Sequence, residues 1–399
     1  MKLPTTVSVP RCFHPAEILT RANLEYYGIT RIFYWKVIFV LGLLTLLEEI
    51  KAYPEEDSSG FIQLSQRFLE RIISRGNAAP VLDFLLNKGV IECDFISIPR
   101  RKSYGYKYSL EYASMPFADV PLASETILNH IEGYNAIQSQ LGADLTGIYG
   151  VVADDLDRFT FEDFEDSIEF ENSIVRNFSI RCAERFNQGT TSKTKNSRTG
   201  RFYSTLSGLP TVVRPYLRLD NEPIAEVDIP SAQPLLLCSL LDAEDQQERN
   251  ELLRFVEIVS QGFYNVLYQQ AGKRCTDRKA MKRECFRRIF YGYSLRPASR
   301  LWNAFQSLFP ILARKVIEHR TNNANGGDHL AIVLQKAEAN LIFNDLGVVL
   351  HRSGVVFGTI HDSIVCKHTD AEFVCEQMQQ AIDRAVGIRT NLTITPTCH

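Results

Sequence analysis

Gly358-Thr359-Ile360-His361-Asp362-Ser363-Ile364-Val365 is an apolar run that climbs to a His-Asp-Ser turn and falls away into a second apolar run. Two short apolar stretches joined at a polar tip read as a β-hairpin, here with one carboxylate, Asp362, held at the tip. Upstream, Ile224-Ala225-Glu226-Val227-Asp228-Ile229 reads as another strand, broken by Pro230-Ser231-Ala232-Gln233-Pro234. Leu235 to Leu241 then looks like the start of a buried helix. Asp228 therefore stands at a strand end facing a turn, a place where aspartate serves either as a helix cap or as a metal ligand.

The surrounding chain is that of a globular protein. Its 399 residues are enough for two or three domains, with 45% apolar and 23% charged residues. The formal net charge of −3 provides no global attraction for nucleic acid, so such a partner would be held by local basic patches. Nine cysteines are scattered without a CxxC pair. Cys366 and His368 are close, but no second ligand pair accompanies them as a zinc site would require. This usage suggests reduced thiols and a cytoplasmic setting. Ile32 to Leu47, IFYWKVIFVLGLLTLL, is shorter than the about 20 residues that span a bilayer. It reads as a buried core helix, with no membrane partner expected.

Three regions follow from composition. Residues 1–150 are expected to be mostly helical and to include a winged-helix-like unit over 61–112. There, Phe61 to Ile73 and Pro80 to Asn87 read as helices, and Val90 to Ile98 and Tyr104 to Tyr112 as a hairpin tipped by Pro99-Arg100-Arg101-Lys102-Ser103. Residues 151–198 form a connector, acidic from Asp154 to Glu171 and basic from Arg176 onward, with Gln188 to Thr199 read as a flexible loop. Residues 199–399 carry both strand-end aspartates. After the second, Ala371 to Ala385 has the apolar spacing of a helix packed under a sheet, and Asn391 to Pro396 reads as an edge strand.

The stretch Lys273 to Arg300 holds ten Lys and Arg against Asp277 and Glu284. Arg278, Lys282, Phe286 and Phe290 recur every four residues and make one helical stripe. Lys279, Arg283, Arg287 and Tyr291 make the adjacent one, and Gly292 follows. A cationic helix that ends in aromatics can bind triphosphate with its basic turns and stack a base on its rings; it can equally be a basic surface helix. Magnesium takes a few carboxylates and completes its shell with water and substrate phosphates. Two aspartates on adjacent strands are thus sufficient for metal-assisted phosphoryl transfer.

The order of these elements resembles that of the family A DNA polymerases and the related phage-type single-subunit RNA polymerases. Thr199-Gly200-Arg201-Phe202-Tyr203, followed by Arg214, is similar to the TGRLS element and its following arginine. Val227 to Gln233 resembles motif A, Arg278-x-x-x-Lys282-x-x-x-Phe286 motif B, and His361-Asp362-Ser363 motif C, with Gln335 opening the helix before it. The resemblance covers about residues 199–390. It implies an α+β right-hand core with an antiparallel palm sheet and helical fingers. Asp228 and Asp362, with the Ile229 carbonyl, would bind two Mg2+ (or Mn2+) ions. Arg278 and Lys282 would hold the incoming nucleoside triphosphate, and Phe286, Tyr291 and Gln233 would shape its pocket. Arg201, Arg214, Gln335 and His361 would contact the primer-template. No proofreading exonuclease is expected, and the N-terminal helices would stand in for a full thumb.

Three positions depart from the family pattern. The Tyr291-Gly292 pair falls one residue late, which implies a one-residue bulge or use of the neighbouring stripe. Gln233 stands where the DNA enzymes carry a glutamate that excludes a 2′-hydroxyl and the RNA enzymes a glycine. It is large enough to exclude ribonucleotides, yet its amide can also donate to a 2′-hydroxyl. Ser363 and the Gly-Arg-x-Tyr element lean toward RNA synthesis, whereas the Arg201–Asp228 spacing and motif B lean toward DNA. The expectation is a small primer-extending DNA polymerase. An RNA polymerase or primase, a template-independent terminal transferase and a non-catalytic nucleic-acid-binding replication protein are the alternatives.

Overall fold

The computed structural model describes the chain apart from residues 1, 20–24, 26–27, 51–60, 97–102, 230, 243, 275–276, 293, 325–326, 388, 391–395 and 399. The protein is mixed α+β, and its paired strands run antiparallel. It divides into two compact units that are not continuous in sequence. The first comprises Met1–Leu145, Leu156–Lys195 and Tyr203–Asn221; the second comprises Thr146–Asp155, Asn196–Phe202 and Glu222–His399.

In the first unit the apolar run Ile32–Leu47 lies within the helix Arg31–Ile50, and Tyr34, Val37, Ile38 and Leu41 are fully buried in the core. The strand Thr6–Pro10, paired with Phe117–Pro121, crosses this helix closely. A Cβ added at Gly42 would lie 2.2 Å from that of Val7, so the helix needs glycine there. Among the described residues no helix is long and apolar enough to cross a membrane.

The segment 61–112 holds helices Gln66–Ile73 and Ala78–Asn87 and a three-stranded sheet of Ile62–Gln63, Gly105–Tyr108 and Ile91–Cys93. The hairpin strands are shorter than the alternating pattern predicts. Asp94 turns its carboxylate onto the amides of Ile96 and Gly105, at 3.0 and 2.8 Å, and Phe95 takes φ 50°. These local bonds end the ladder, and Leu110–Ala113 is helical rather than extended. The basic tip expected at residues 99–103 lies outside the described residues except for Ser103.

Two of the basic residues after position 176 are held in ion pairs with carboxylates. On the helix Ser173–Asn187, Arg181 donates to Glu48 at 3.0 Å and Arg185 to Glu49 at 2.9 Å. Glu49 is completely buried, and a buried carboxylate persists only with such partners. Within the acidic run, Glu165 pairs with Arg176 and Asp157 with Lys193. Lys193–Lys195 is a short strand where a flexible loop is expected.

The second unit is built on a sheet in the order Phe357–Ile360, Ser363–Lys367, Glu222–Asp228, with Pro396–Cys398 on the far side of the last. Residues 391–395 of the expected edge strand lie outside the described residues. The helix Ala371–Val386 buries Val374, Met378, Ala381 and Ile382, while Phe373 stays exposed, one position off the inward stripe. The helix after Asp228 starts earlier than expected, at Ala232, and runs to Leu237. Its cap position is Ser231, at φ 55°, so Asp228 is not used as a helix cap.

The helical part of this unit holds Gln246–Gln270, kinked at Gly262, and Pro310–Ala324. Buried Glu251 accepts from the amides of Ile311 and Leu312 at 3.0 and 2.6 Å, satisfying two donors that a helix start leaves open. Glu251→Ala is expected to lower stability by about 2 kcal/mol, read from the midpoint of urea unfolding.

Candidate active site

The hairpin is closed by two residues. Ile360 pairs with Ser363, leaving His361 and Asp362 as the turn, with His361 at φ 54°. A two-residue hairpin loop demands a positive φ of this kind. Histidine adopts it more readily than β-branched residues do.

The neighbouring strand brings in the second carboxylate. Asp228 is directly opposite Ser363 in the register, and the Ile229 amide reaches the Asp362 carbonyl at 3.4 Å. Residues two apart on a strand share a face, so Glu226 stands on the same face as Asp228. The Ser363 hydroxyl donates to Glu226 at 2.8 Å. Three carboxylates are thereby gathered at one end of the sheet.

Their electrostatics register the crowding. The Asp228 carboxyl is pushed up to about 7, first by loss of solvation at the site and then by the charges of Asp362 and Glu226, although the residue as a whole remains exposed. Asp362 is raised as well, chiefly by burial, with Lys282 and Arg201 opposing the shift and Glu226 adding to it. Lys282 thus acts on both aspartates.

Arg201 is delivered by a tight loop. Asn196 accepts from the amides of Arg198 and Thr199 at 2.9 and 3.1 Å, and its own amide donates to the Arg201 carbonyl at 2.8 Å. Gly200 takes φ 77°, and its carbonyl accepts from the Tyr149 hydroxyl at 2.7 Å. The Arg201 guanidinium then pairs with Glu338 at 2.6 Å. The same Glu338 oxygen accepts from the Gln233 amide at 2.7 Å. Glu338 is only 2% exposed. Burial raises its carboxyl, Arg201 opposes this, and Asp362 and His361 are close enough to act on it. Its hydrogen bond occupies one of the amide N–H groups of Gln233. The Gln233 carbonyl oxygen is buried with no hydrogen-bond partner among the described residues.

The cationic helix runs from Arg278 to Cys285 and continues as a π turn over Phe286–Phe290. The Tyr291 amide donates to the Phe286 carbonyl at 2.7 Å, a five-residue step in place of four. The π turn adds one residue to the helical step at this place. Phe290 is fully buried, whereas the Tyr291 ring meets Phe286 edge-on at 5.1 Å and Lys282 lies 5.5 Å from the Phe286 ring centre. Arg278 and Lys282 are exposed. Tyr264, on the kinked helix, lies within electrostatic reach of Asp362, Arg278 and Tyr291, tying this helix to the carboxylates.

Two further expected residues have the following places. Arg214 lies in the first unit, in the turn Thr211–Tyr216, and donates to the Leu209 carbonyl at 3.2 Å. Gln335 is half-buried on the helix Leu330–Ala339, one turn before Glu338. Sequence reasoning missed Glu226, Tyr264 and Glu338. Glu226 is findable from its strand period with Asp228, and Glu338 as a charge one turn after Gln335 in an apolar helix. Tyr264 carries no local mark.

The donor set suits a hard divalent cation. The charges of Asp362 and Glu226 hold back the ionisation of Asp228 in a way that a bound cation relieves, and oxygen ligands are what magnesium takes. Among the described residues no group of three or more His, Cys, Asp or Glu side chains could hold a metal ion. The chain matches no protein-family model and no curated protein.

Proposed function

We propose that this chain is a metal-dependent, template-directed nucleotidyltransferase, a small DNA polymerase that extends a primer at its 3′ end. The observation that carries the reading is the juxtaposition of Asp228 and Asp362 by strand pairing, with Lys282 acting on both. Bound Mg2+ would supply charge neutralisation and Lewis acidity to the phosphates. Asp228 and Asp362 would hold it, with the Ile229 carbonyl beside them. Arg278 and Lys282, exposed on successive turns, suit a triphosphate tail. Phe286 and Tyr291 offer rings to the base. Arg201, fixed by Glu338, and His361 stand beside Asp362, where a primer terminus would enter. The reaction would be attack of the primer 3′-hydroxyl on the α-phosphate with release of pyrophosphate.

One observation favours a ribonucleotide substrate instead. The unpartnered carbonyl oxygen of Gln233 is a hydrogen-bond acceptor, and a sugar 2′-hydroxyl is a donor that would satisfy it. A primed template with Mg2+ and either labelled dNTPs or labelled NTPs separates the two. The expected result is incorporation of the complementary dNTP only. Preferential NTP use would move the assignment to RNA synthesis, and incorporation indifferent to the template base would defeat template direction. Absence of incorporation with either set and either metal would end the enzyme reading.

A further inference from the structure

Arg320 is a charged side chain with no place in the constellation above, yet it is only 2% exposed. It sits on the helix Pro310–Ala324, and its guanidinium donates to three main-chain carbonyls: Ser294 at 2.9 Å, Arg288 at 3.0 Å and Ile289 at 2.7 Å. The guanidinium carbon lies over the Trp302 ring, 4.6 Å from its centre. Burying an arginine without a carboxylate partner is costly, so the carbonyls it satisfies mark what it is there to hold.

Those carbonyls belong to the π turn and the segment that follows it. A helix end leaves its last carbonyls without donors, and a π turn shifts the ladder by one residue. Arg320 satisfies Arg288 and Ile289 inside the turn, and Ser294 beyond it. A Cβ on Gly292 would lie 2.9 Å from the Arg320 guanidinium and 3.0 Å from the Arg288 carbonyl, so the glycine after Tyr291 is required for Arg320 to reach its partners. His329 closes the other side. Its Nδ1 accepts from the Ala331 amide at 3.2 Å, leaving Nε2 to donate to the Gly292 carbonyl at 3.4 Å.

We propose that Arg320 is a positioning residue that clamps the π turn and thereby phases Tyr291 onto the Phe286–Lys282 face. Without the clamp, the helix has an ordinary four-residue register available, in which Phe290 takes the Tyr291 position and the tyrosine rotates away from Tyr264 and the carboxylates. The consequence for nucleotide binding rests on the nucleotidyltransferase reading; the clamp itself does not.

The test uses Arg320→Lys, which keeps the charge but loses the planar fork, and Gly292→Ala, which displaces the guanidinium while leaving Arg320 in place. Amide hydrogen exchange at Tyr291 reads the clamp directly, and steady-state incorporation reads its consequence. Both variants are expected to exchange Tyr291 at least about tenfold faster and to raise KM for the incoming nucleotide about tenfold, with kcat within about threefold of wild type. Unchanged Tyr291 exchange in both variants overturns the clamp. Faster exchange with KM and kcat falling away together overturns the positioning role. A wild-type chain that incorporates nothing defeats the functional reading, and the exchange data then still decide the clamp. Should Arg320→Lys fail to fold, Gly292→Ala carries the same readouts.

Discussion

Asp362→Asn is expected to lower nucleotide incorporation by at least about a thousandfold while making the folded protein more resistant to heat. The substitution keeps the shape of the hairpin tip and removes one charge. On the proposed reading that charge is half of the cation site, and no other carboxylate replaces it. Glu226 accepts from Ser363 on the strand opposite, and Glu338 is committed to Arg201 and Gln233. The stability gain follows from linkage. Asp228 is pushed up to about 7 from an ordinary value of 3.8, with Asp362 among the causes. A carboxyl whose folded value is raised binds more protons in the folded state than in the unfolded one, so stability falls as pH climbs through that interval. Above about 7 the full repulsion is present; in Asp362→Asn much of it is absent. Thermal melts of the wild type are expected to rise on going from pH 8 to pH 5.5, and those of the variant to change less. Mg2+ should raise the wild-type Tm by mass action and fail to do so in the variant. Wild-type-like incorporation by Asp362→Asn would sink the assignment of the site.

The parts of this site that sequence alone conveyed are those set by local rules. The hairpin follows from its alternation and polar tip, and Asp228 from the break that ends its strand. The cationic stripe Arg278–Lys282 follows from its four-residue spacing, whereas the π turn Phe286–Phe290 has no local sequence mark of its own. What local rules do not convey is which polar residue a distant element needs. Arg320 continues the buried stripe of Leu312, Ala313 and Val316 in its helix, but only the packing of that helix on the π turn gives it three carbonyls to satisfy. Glu338 is 137 residues from its partner Arg201 and 105 from Gln233. The short strands Ile91–Cys93 and Gly105–Tyr108 missed their expected length for a similar reason. Period two continued in the sequence, but the Asp94 side chain competed for the backbone.

Glu338→Ala is the second change with a large expected effect, and it separates structure from chemistry. Arg201 keeps only 16% of its side-chain surface exposed beside a Glu338 that keeps 2%. Removing the carboxylate takes away the buried ion pair of Arg201 and also strips the Gln233 amide of its acceptor. Breaking a buried pair from one side costs about 3 kcal/mol, so the urea midpoint should fall accordingly. Incorporation should drop about a hundredfold, because Arg201 and Gln233 lose the group that fixes them. Glu338→Gln keeps an acceptor for both and should recover part of each loss. The decisive comparison is the double variant Arg201→Met with Glu338→Leu. It removes both charges of the pair and leaves apolar volume in a buried place, a replacement that is often neutral for stability, while the Gln233 amide still lacks its acceptor. Its midpoint should recover most of the Glu338→Ala loss while incorporation stays low. If activity returns together with stability, Glu338 and Arg201 are a packing pair, and the proposed role of Arg201 at the primer end falls. If neither returns, the coupling seen at 2.6 Å is not the source of the loss. Stability without activity is the outcome that a positioned arginine at a working site demands.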